Sequence, residues 1–97
     1  MSKDSFEIAI LAGDGIGTEV TDATFAVIEA AQARMGGFHL HQHEIMAGAG
    51  YYRDTGQDIE TDGEERAGKA DAMYVGAIGL PAIRAKDGTE IAPHLRL

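Results

Sequence analysis

The run Leu11-Ala12-Gly13-Asp14-Gly15-Ile16-Gly17-Thr18-Glu19-Val20 limits what this chain can fold into more than any other stretch. Three glycines spaced by two interrupt an apolar segment, and a helical pattern follows at once. Phe6 to Leu11 is short, apolar and carries two isoleucines, which predicts a buried strand. Beyond the glycines, Val20, Ala23 or Thr24, Val27, Ala30 or Ala31 and Met35 recur at steps of three and four. That spacing predicts an amphipathic helix with these residues on its apolar face. Glu19 and Asp22 fall in its first turns, where the positive end of the helix dipole favours them, and Gly36-Gly37 ends it. A strand, a tight turn and a helix in this order aim loop amides and a helix N-terminus at one point, which suits an anion or a ribose.

The remaining chain repeats the alternation. Residues 38–47 predict a second strand near a sheet edge, with His39, His41 and His43 on one face. Residues 48–56 form a connection that packs through Tyr51 and Tyr52. Thr61-Asp62-Gly63-Glu64 matches a capping box for a helix reaching about Ala70, although Gly63 and Gly68 each weaken it by about 1 kcal/mol relative to alanine. Residues 72–78 are an almost continuous apolar run, the pattern of a strand covered on both faces. Strand, helix, strand, helix, strand is the order of an α/β protein: an open, mainly parallel sheet of about three strands with two helices. In such sheets ligands gather at the carboxyl ends of strands, so the Gly13 to Gly17 and Gly76 to Gly79 loops are expected at one rim. From Leu80 the pattern breaks down, with Leu80-Pro81, Asp87-Gly88 and Pro93 punctuating a loop. Pro93 to Leu97 reads as the first turn of a helix that then stops. The expectation is that residues 1–97 are the partial N-terminal portion of one domain, with no second domain.

Charge and composition exclude several classes. Sixteen acidic residues against eight lysines and arginines give a net charge of −8, which repels a phosphate backbone and argues against a nucleic-acid partner. There is no cysteine, so disulfides, thiolate metal sites and a cysteine nucleophile are out. No apolar run approaches the roughly 18 residues of a membrane span, and Met1 to Glu7 lacks the apolar core of a signal peptide. The expected location is cytoplasmic, away from membranes.

The chemistry at the rim is under-determined by spacing. Gly13-Asp14-Gly15-Ile16-Gly17 stops short of the dinucleotide fingerprint, because Thr18 stands where that pattern has glycine or alanine. A plain tight turn and a ligand loop both fit. The three alternate histidines read as a solvated polar face rather than a metal site, since no acidic or cysteine partner has ligand spacing. Asp54, Asp58, Glu60, Asp62, Glu64 and Glu65 read as a solvated loop and helix start. No nucleophile elbow occurs. Arg84, Lys86, His94 and Arg96 follow the second glycine loop, where they either meet an anionic substrate or line a solvated loop.

Taken together, residues 11–20, Asp71-Ala72-Met73-Tyr74-Val75-Gly76-Ala77-Ile78-Gly79 and Asp87-Gly88-Thr89-Glu90-Ile91-Ala92-Pro93 resemble the N-terminal region of the isocitrate and isopropylmalate dehydrogenase family. Leu80-Pro81 with Asp87 to Ile91 is more similar to the branch that handles malate- or tartrate-like 2-hydroxy acids. The resemblance implies a three-layer α/β/α isopropylmalate-dehydrogenase-like fold, incomplete here. It also implies an NAD-dependent oxidoreductase that acts on the CH–OH group of a 2-hydroxy acid, uses Mg or Mn, and usually decarboxylates the product. On the same basis Ile16 borders the adenine end of the cofactor, and Ala77, Ile78 and Gly79 its nicotinamide end. Glu90 and Ile91 lie beside the nicotinamide ribose, while His94, Leu95 and Arg96 approach the substrate-selecting helix.

The family's catalytic tyrosine and lysine, substrate arginines and metal-binding aspartates fall beyond Leu97. The chain is therefore expected to hold no catalytic or metal-binding residue, to bind no cofactor tightly and to be inactive alone. Thr18 replaces the family's usual proline, and either residue suits a helix start. Family members are dimers, so a homo-oligomer is expected. Two other readings stay open: a small nucleotide- or anion-binding module, and an interaction fragment that completes its sheet with another chain.

Overall fold

The strand that enters the glycine turn is the middle of the sheet. In the computed structural model, which describes residues 4–97, β1 (Ser5–Gly13) lies between β2 (His39–Glu44) and β3 (Ala72–Ala77), and both pairings are parallel. Ser5 to Ile10 align with His39 to Glu44, and Ile8 to Gly13 align with Ala72 to Ala77. The central place follows from composition, because only β1 carries three successive buried apolar residues, Ala9, Ile10 and Leu11. The parallel alternation expected from the sequence is present in all three strands. Met1, Ser2 and Lys3, read above as part of a leaderless start, lie outside the described residues.

Helix α1 (Ile16–Met35) covers the face of the sheet that carries Tyr74, whose ring meets Phe25 edge-on at 5.1 Å between centroids. Its buried residues are Gly17, Thr21 and Phe25, while Val20, Val27 and Met35 are exposed. This corrects the apolar face read from the sequence. At its N-terminal end the helix docks through Gly17 and Thr21, because its backbone comes very close to the sheet there, while Phe25 packs further along against Tyr74. A Cβ on Gly17 would lie 2.2 Å from the Ala12 carbonyl oxygen, and one on Gly76 would lie 2.2 Å from that same oxygen. A valine stripe has no room there.

The opposite face is covered by α3 (Gly63–Lys69). Ala67 joins Ala9, Leu11, Ile45, Ala47 and Ile59 in the main apolar cluster. Three further expectations change. The stretch before α3 contains a helix, α2 (Ala49–Thr55), where a connection was predicted, so the described residues form three α-helices rather than two. The capping box does not form: Asp62 precedes α3 in a left-handed conformation with no side-chain cap, and Glu64 turns away to Arg96. Finally, β3 is covered on one face only, since Met73 and Val75 are exposed on the other. The chain ends in a 3₁₀ turn, Pro93–Arg96.

Candidate functional site

The rim is assembled around Asp14. Gly13 ends β1 at φ 84°, and a Cβ there would lie 2.1 Å from the Ala77 carbonyl oxygen. Only glycine lets the ends of β1 and β3 approach this closely. The Asp14 amide then donates to Ala77 O at 2.6 Å, and its side chain turns inward, 7% exposed. One carboxylate oxygen, Oδ2, accepts from the amides of Ala49 and Gly79, each at 2.8 Å; the other, Oδ1, accepts from Gly50 at 2.8 Å. Three amides compensate the buried charge, as burial requires.

Those amides belong to separate segments. Ala49 and Gly50 begin α2, and Gly79 follows β3. Gly48 stands at φ 122°, and a Cβ on it would lie 2.7 Å from Asp14 Oδ2. A single side chain thus fastens the strand-to-helix turn to the loop after β3 and caps α2 from a distance. Asp14 stood inside the glycine motif with no role assigned to it by the sequence. The signal was there: a lone carboxylate among glycines, with backbone free to close in on every side.

The predicted cofactor residues divide into three groups. Ile78, Gly79 and Glu90, with Leu80 and Pro81, line a cavity of about 200 Å³. Ala77 adjoins them, its carbonyl held by Asp14. Ile16 opens α1 at the same rim with its side chain 65% exposed. The Glu90 carboxylate projects into solvent and pairs with Arg84 Nη2 at 3.4 Å. Ile91 is buried.

The predicted substrate residues lie elsewhere. His94 is half-buried and Leu95 exposed in the final 3₁₀ turn. Arg96 donates from Nη1 and Nη2 to the two oxygens of Asp58, both at 2.7 Å, and from Nε to Glu64 at 2.6 Å. The guanidinium holds the Asp58 carboxyl below its usual range, and the two carboxylates raise Arg96 in turn. In the loop between, the Thr89 hydroxyl and amide lower Asp87. The three exposed histidines of β2 remain a polar face, with His43 Nε2 at 2.6 Å from Glu7. Among the described residues, no three His, Asp or Glu side chains are grouped to hold a metal ion.

These features define an open, parallel α/β protein whose sheet order reverses at β1, with a rim at the carboxyl ends of β1 and β3 where such sheets bind ligands. A family model described as isocitrate/isopropylmalate dehydrogenase matches residues 7–96, and the chain belongs to that family. It is 38% identical over 78 residues to a probable tartrate dehydrogenase/decarboxylase of Agrobacterium vitis, covering 80% of this chain and 22% of the relative. Against a 3-isopropylmalate dehydrogenase of Symbiobacterium thermophilum it is 37% identical over 81 residues, 84% of this chain and 22% of the relative. Its fold is similar to that of a beta-decarboxylating dehydrogenase from Thermococcus kodakarensis in its apo form, with TM-score 0.62 and 27% identity, covering 84% of this chain and 24% of that one. The chain thus spans between a fifth and a quarter of the length of these relatives.

Proposed function

We propose that this chain is the N-terminal part of an NAD- and metal-dependent oxidoreductase acting on the CH–OH group of a 2-hydroxy acid, and that it supplies one wall of the cofactor cleft. The observation that carries this reading is the Asp14 carboxylate, which fixes the two loops of the rim against each other in a member of this family. The substrate class follows from relatives named for tartrate and isopropylmalate. When bound, NAD accepts the hydride from the substrate carbon. The residues of this chain position it: Ile16 as an exposed apolar contact at the adenine end, Ala77, Ile78 and Gly79 as a close backbone surface, and Glu90 and Ile91 beside the ribose.

The fit is that of one wall. A cavity of about 200 Å³ is below the roughly 300–1,000 Å³ of a complete ligand pocket. The donor set for Mg or Mn does not fit at all, because no acidic cluster is placed to hold an ion among the described residues. No step through a metal is therefore assigned to this chain. Asp58 and Glu64 occupy three of the five N–H groups of Arg96, so substrate selection by His94 to Arg96 competes with this ion pair for the guanidinium.

A spectrophotometric assay with NAD, Mg or Mn, and tartrate, malate or isopropylmalate tests the division of labour. The 97-residue chain alone should give no NADH, and turnover would overturn it. Calorimetry with NAD and AMP separates this reading from a self-sufficient binding module. The wall should bind more weakly than about 1 mM, and micromolar binding would favour the module. Cytoplasmic location belongs to the same proposal.

A further inference from the structure

The loop that carries the cavity residues is tied to the rest of the fold at few points. Ile78 packs against the apolar cluster. Beyond it, the hydrogen bonds from Ile83 to Leu80, Ala85 to Thr89, Gly88 to Ala85, Arg84 to Gly88 and Glu90, and Thr89 to Asp87 all stay within the loop. Among the described residues, the Gly79 amide makes the bond that leaves it, to Asp14 Oδ2 at 2.8 Å. Gly79 stands at φ 121°, where its backbone has wide freedom unless something holds it.

What holds it is itself held from α2. The same Oδ2 accepts from Ala49, and Oδ1 accepts from Gly50, so two of the three amides on the Asp14 carboxylate come from the first turn of that helix. Gly48 closes over the carboxylate, since a Cβ there would lie 2.7 Å from Oδ2. Asp14 is 7% exposed and Ala49 fully buried. The start of α2 therefore supplies donors and excludes water at once.

Yet α2 is a weak element. Its seven residues fall short of the about 12–15 at which an isolated helix becomes even marginally stable. Its second position is Gly50, which disfavours a helix, and Ala49 is the residue it buries. Such a segment opens more readily than the sheet beneath it. When it opens, the carboxylate loses two amides and its cover together. A carboxylate left with one amide and a path to water is better solvated by turning outward. Gly79 then exchanges its acceptor for water.

We propose that α2 positions the cavity loop through Asp14, so that the helix and the Gly79 backbone order and open as one unit. The meaning of this unit for a cofactor rests on the function proposed above, in which Ala77, Ile78 and Gly79 form part of the wall. Coupling of this kind is reciprocal. Whatever steadies the loop steadies α2, and any contact that firms α2 preorganises the wall and lowers the ordering cost of binding there. The rim is thus tuned from a helix remote in sequence from the cavity.

Hydrogen exchange of the ¹⁵N-labelled 97-residue chain, without cofactor, reads the coupling. Arg53→Pro breaks α2 at an exposed position and should speed exchange at Ala49, Gly50 and Gly79 together by about tenfold or more, with Ala9 to Leu11 of β1 within about twofold of the parent. Ala33→Pro, near the end of α1 remote from the rim, should leave Gly79 unchanged. Asp54→Ala removes an acidic residue from the last turn of α2, where the helix dipole disfavours it, and should slow all three amides by about twofold. The Arg53–Asp54 pair lost with it is exposed and weak. Should Arg53→Pro lower protection throughout the sheet, Asp54→Ala carries the test. Exchange at Gly79 that fails to follow Ala49 and Gly50, or that responds to Ala33→Pro as much as to Arg53→Pro, would overturn the proposal. No cofactor enters this measurement, so coupled exchange without NAD shifts at the rim would overturn the cofactor reading alone.

Discussion

Substituting Asp14 tests whether one carboxylate holds the rim together. In Asp14→Ala, the amides of Ala49, Gly50 and Gly79 lose their acceptor. Ala49 has no solvent exposure in its native place, so the Ala49 amide bears close to the full cost of an unpaired buried donor, about 1–3 kcal/mol. Gly50 and Gly79 lie nearer solvent, and water replaces part of what they lose. The expected total is about 4 kcal/mol, most of the stability of a chain near the lower end of the ~5–15 kcal/mol range. Asp14→Asn is milder. Its carbonyl oxygen can serve the Ala49 and Gly79 amides in place of Oδ2, but its NH₂ then faces the Gly50 amide, donor against donor. That substitution should cost about 2 kcal/mol. Urea unfolding followed by circular dichroism measures both, and with an m-value of about 1 kcal/mol/M the asparagine midpoint should fall by about 2 M. Hydrogen exchange supplies the specific readout, because the amides of Ala49, Gly50 and Gly79 should lose protection together. An alanine variant within about 0.5 kcal/mol of the parent, or faster exchange at only one of the three amides, would refute the reasoning.

Three further outcomes follow from the packing and charge pairs. Gly17→Ala should destabilise by about 3 kcal/mol, because its Cβ would lie 2.2 Å from the Ala12 carbonyl oxygen and the obstruction is backbone; thermal unfolding measures it. Thr61→Ala should change stability by less than about 0.5 kcal/mol, since α3 has no side-chain cap, whereas a working capping box would be worth about 1 kcal/mol. The Asp58–Arg96 pair should make stability depend on pH. Arg96 lowers Asp58 in the folded state, so the contribution is fully present above the unfolded carboxyl value of about 4 and is lost as pH falls through the folded value. With side chains 28% and 46% exposed, solvent screening limits it to about 1 kcal/mol. Urea midpoints of the parent and Arg96→Ala should therefore differ near neutral pH and converge in acid.

The sequence was most informative where local pattern and tertiary role coincide. The unbroken apolar core of β1 marked the central strand, and the glycine turn marked the boundary between strand and helix. The order of elements then led to a parallel sheet with a rim where two glycine loops meet. It was least informative where a distant residue decides the local structure. Helix α2 has a glycine at its second position and no local cap, and its first two amides are satisfied by Asp14, 35 and 36 positions earlier. The capping box at Thr61 is absent because α3 starts after Asp62, one residue later than the box requires, and Glu64 pairs with Arg96, 32 positions away.

The face of α1 misled for a different reason. An alanine-rich helix offers two plausible stripes, and the one that carries Val20, Val27 and Met35 is the exposed one. Gly17 and Thr21 form the docking face because the helix lies so close to β1 and β3 that bulk is excluded. Of the candidate site, Ile78, Gly79 and Glu90, named from the family resemblance, line one cavity. Asp14 was visible in the motif, but its function depends on amides contributed by segments far along the chain.

The central claim is that the rim of β1 and β3 is a wall of a cofactor cleft, and a chemical-shift titration of the ¹⁵N-labelled chain with NAD tests it most directly. The account predicts weak, saturable shifts centred on the amides of Ile16, Ala77, Ile78, Gly79 and Glu90. Shifts that instead centre on the histidine face of β2 or on the Asp58–Arg96 pair, or no shifts at the rim at millimolar NAD, would contradict it.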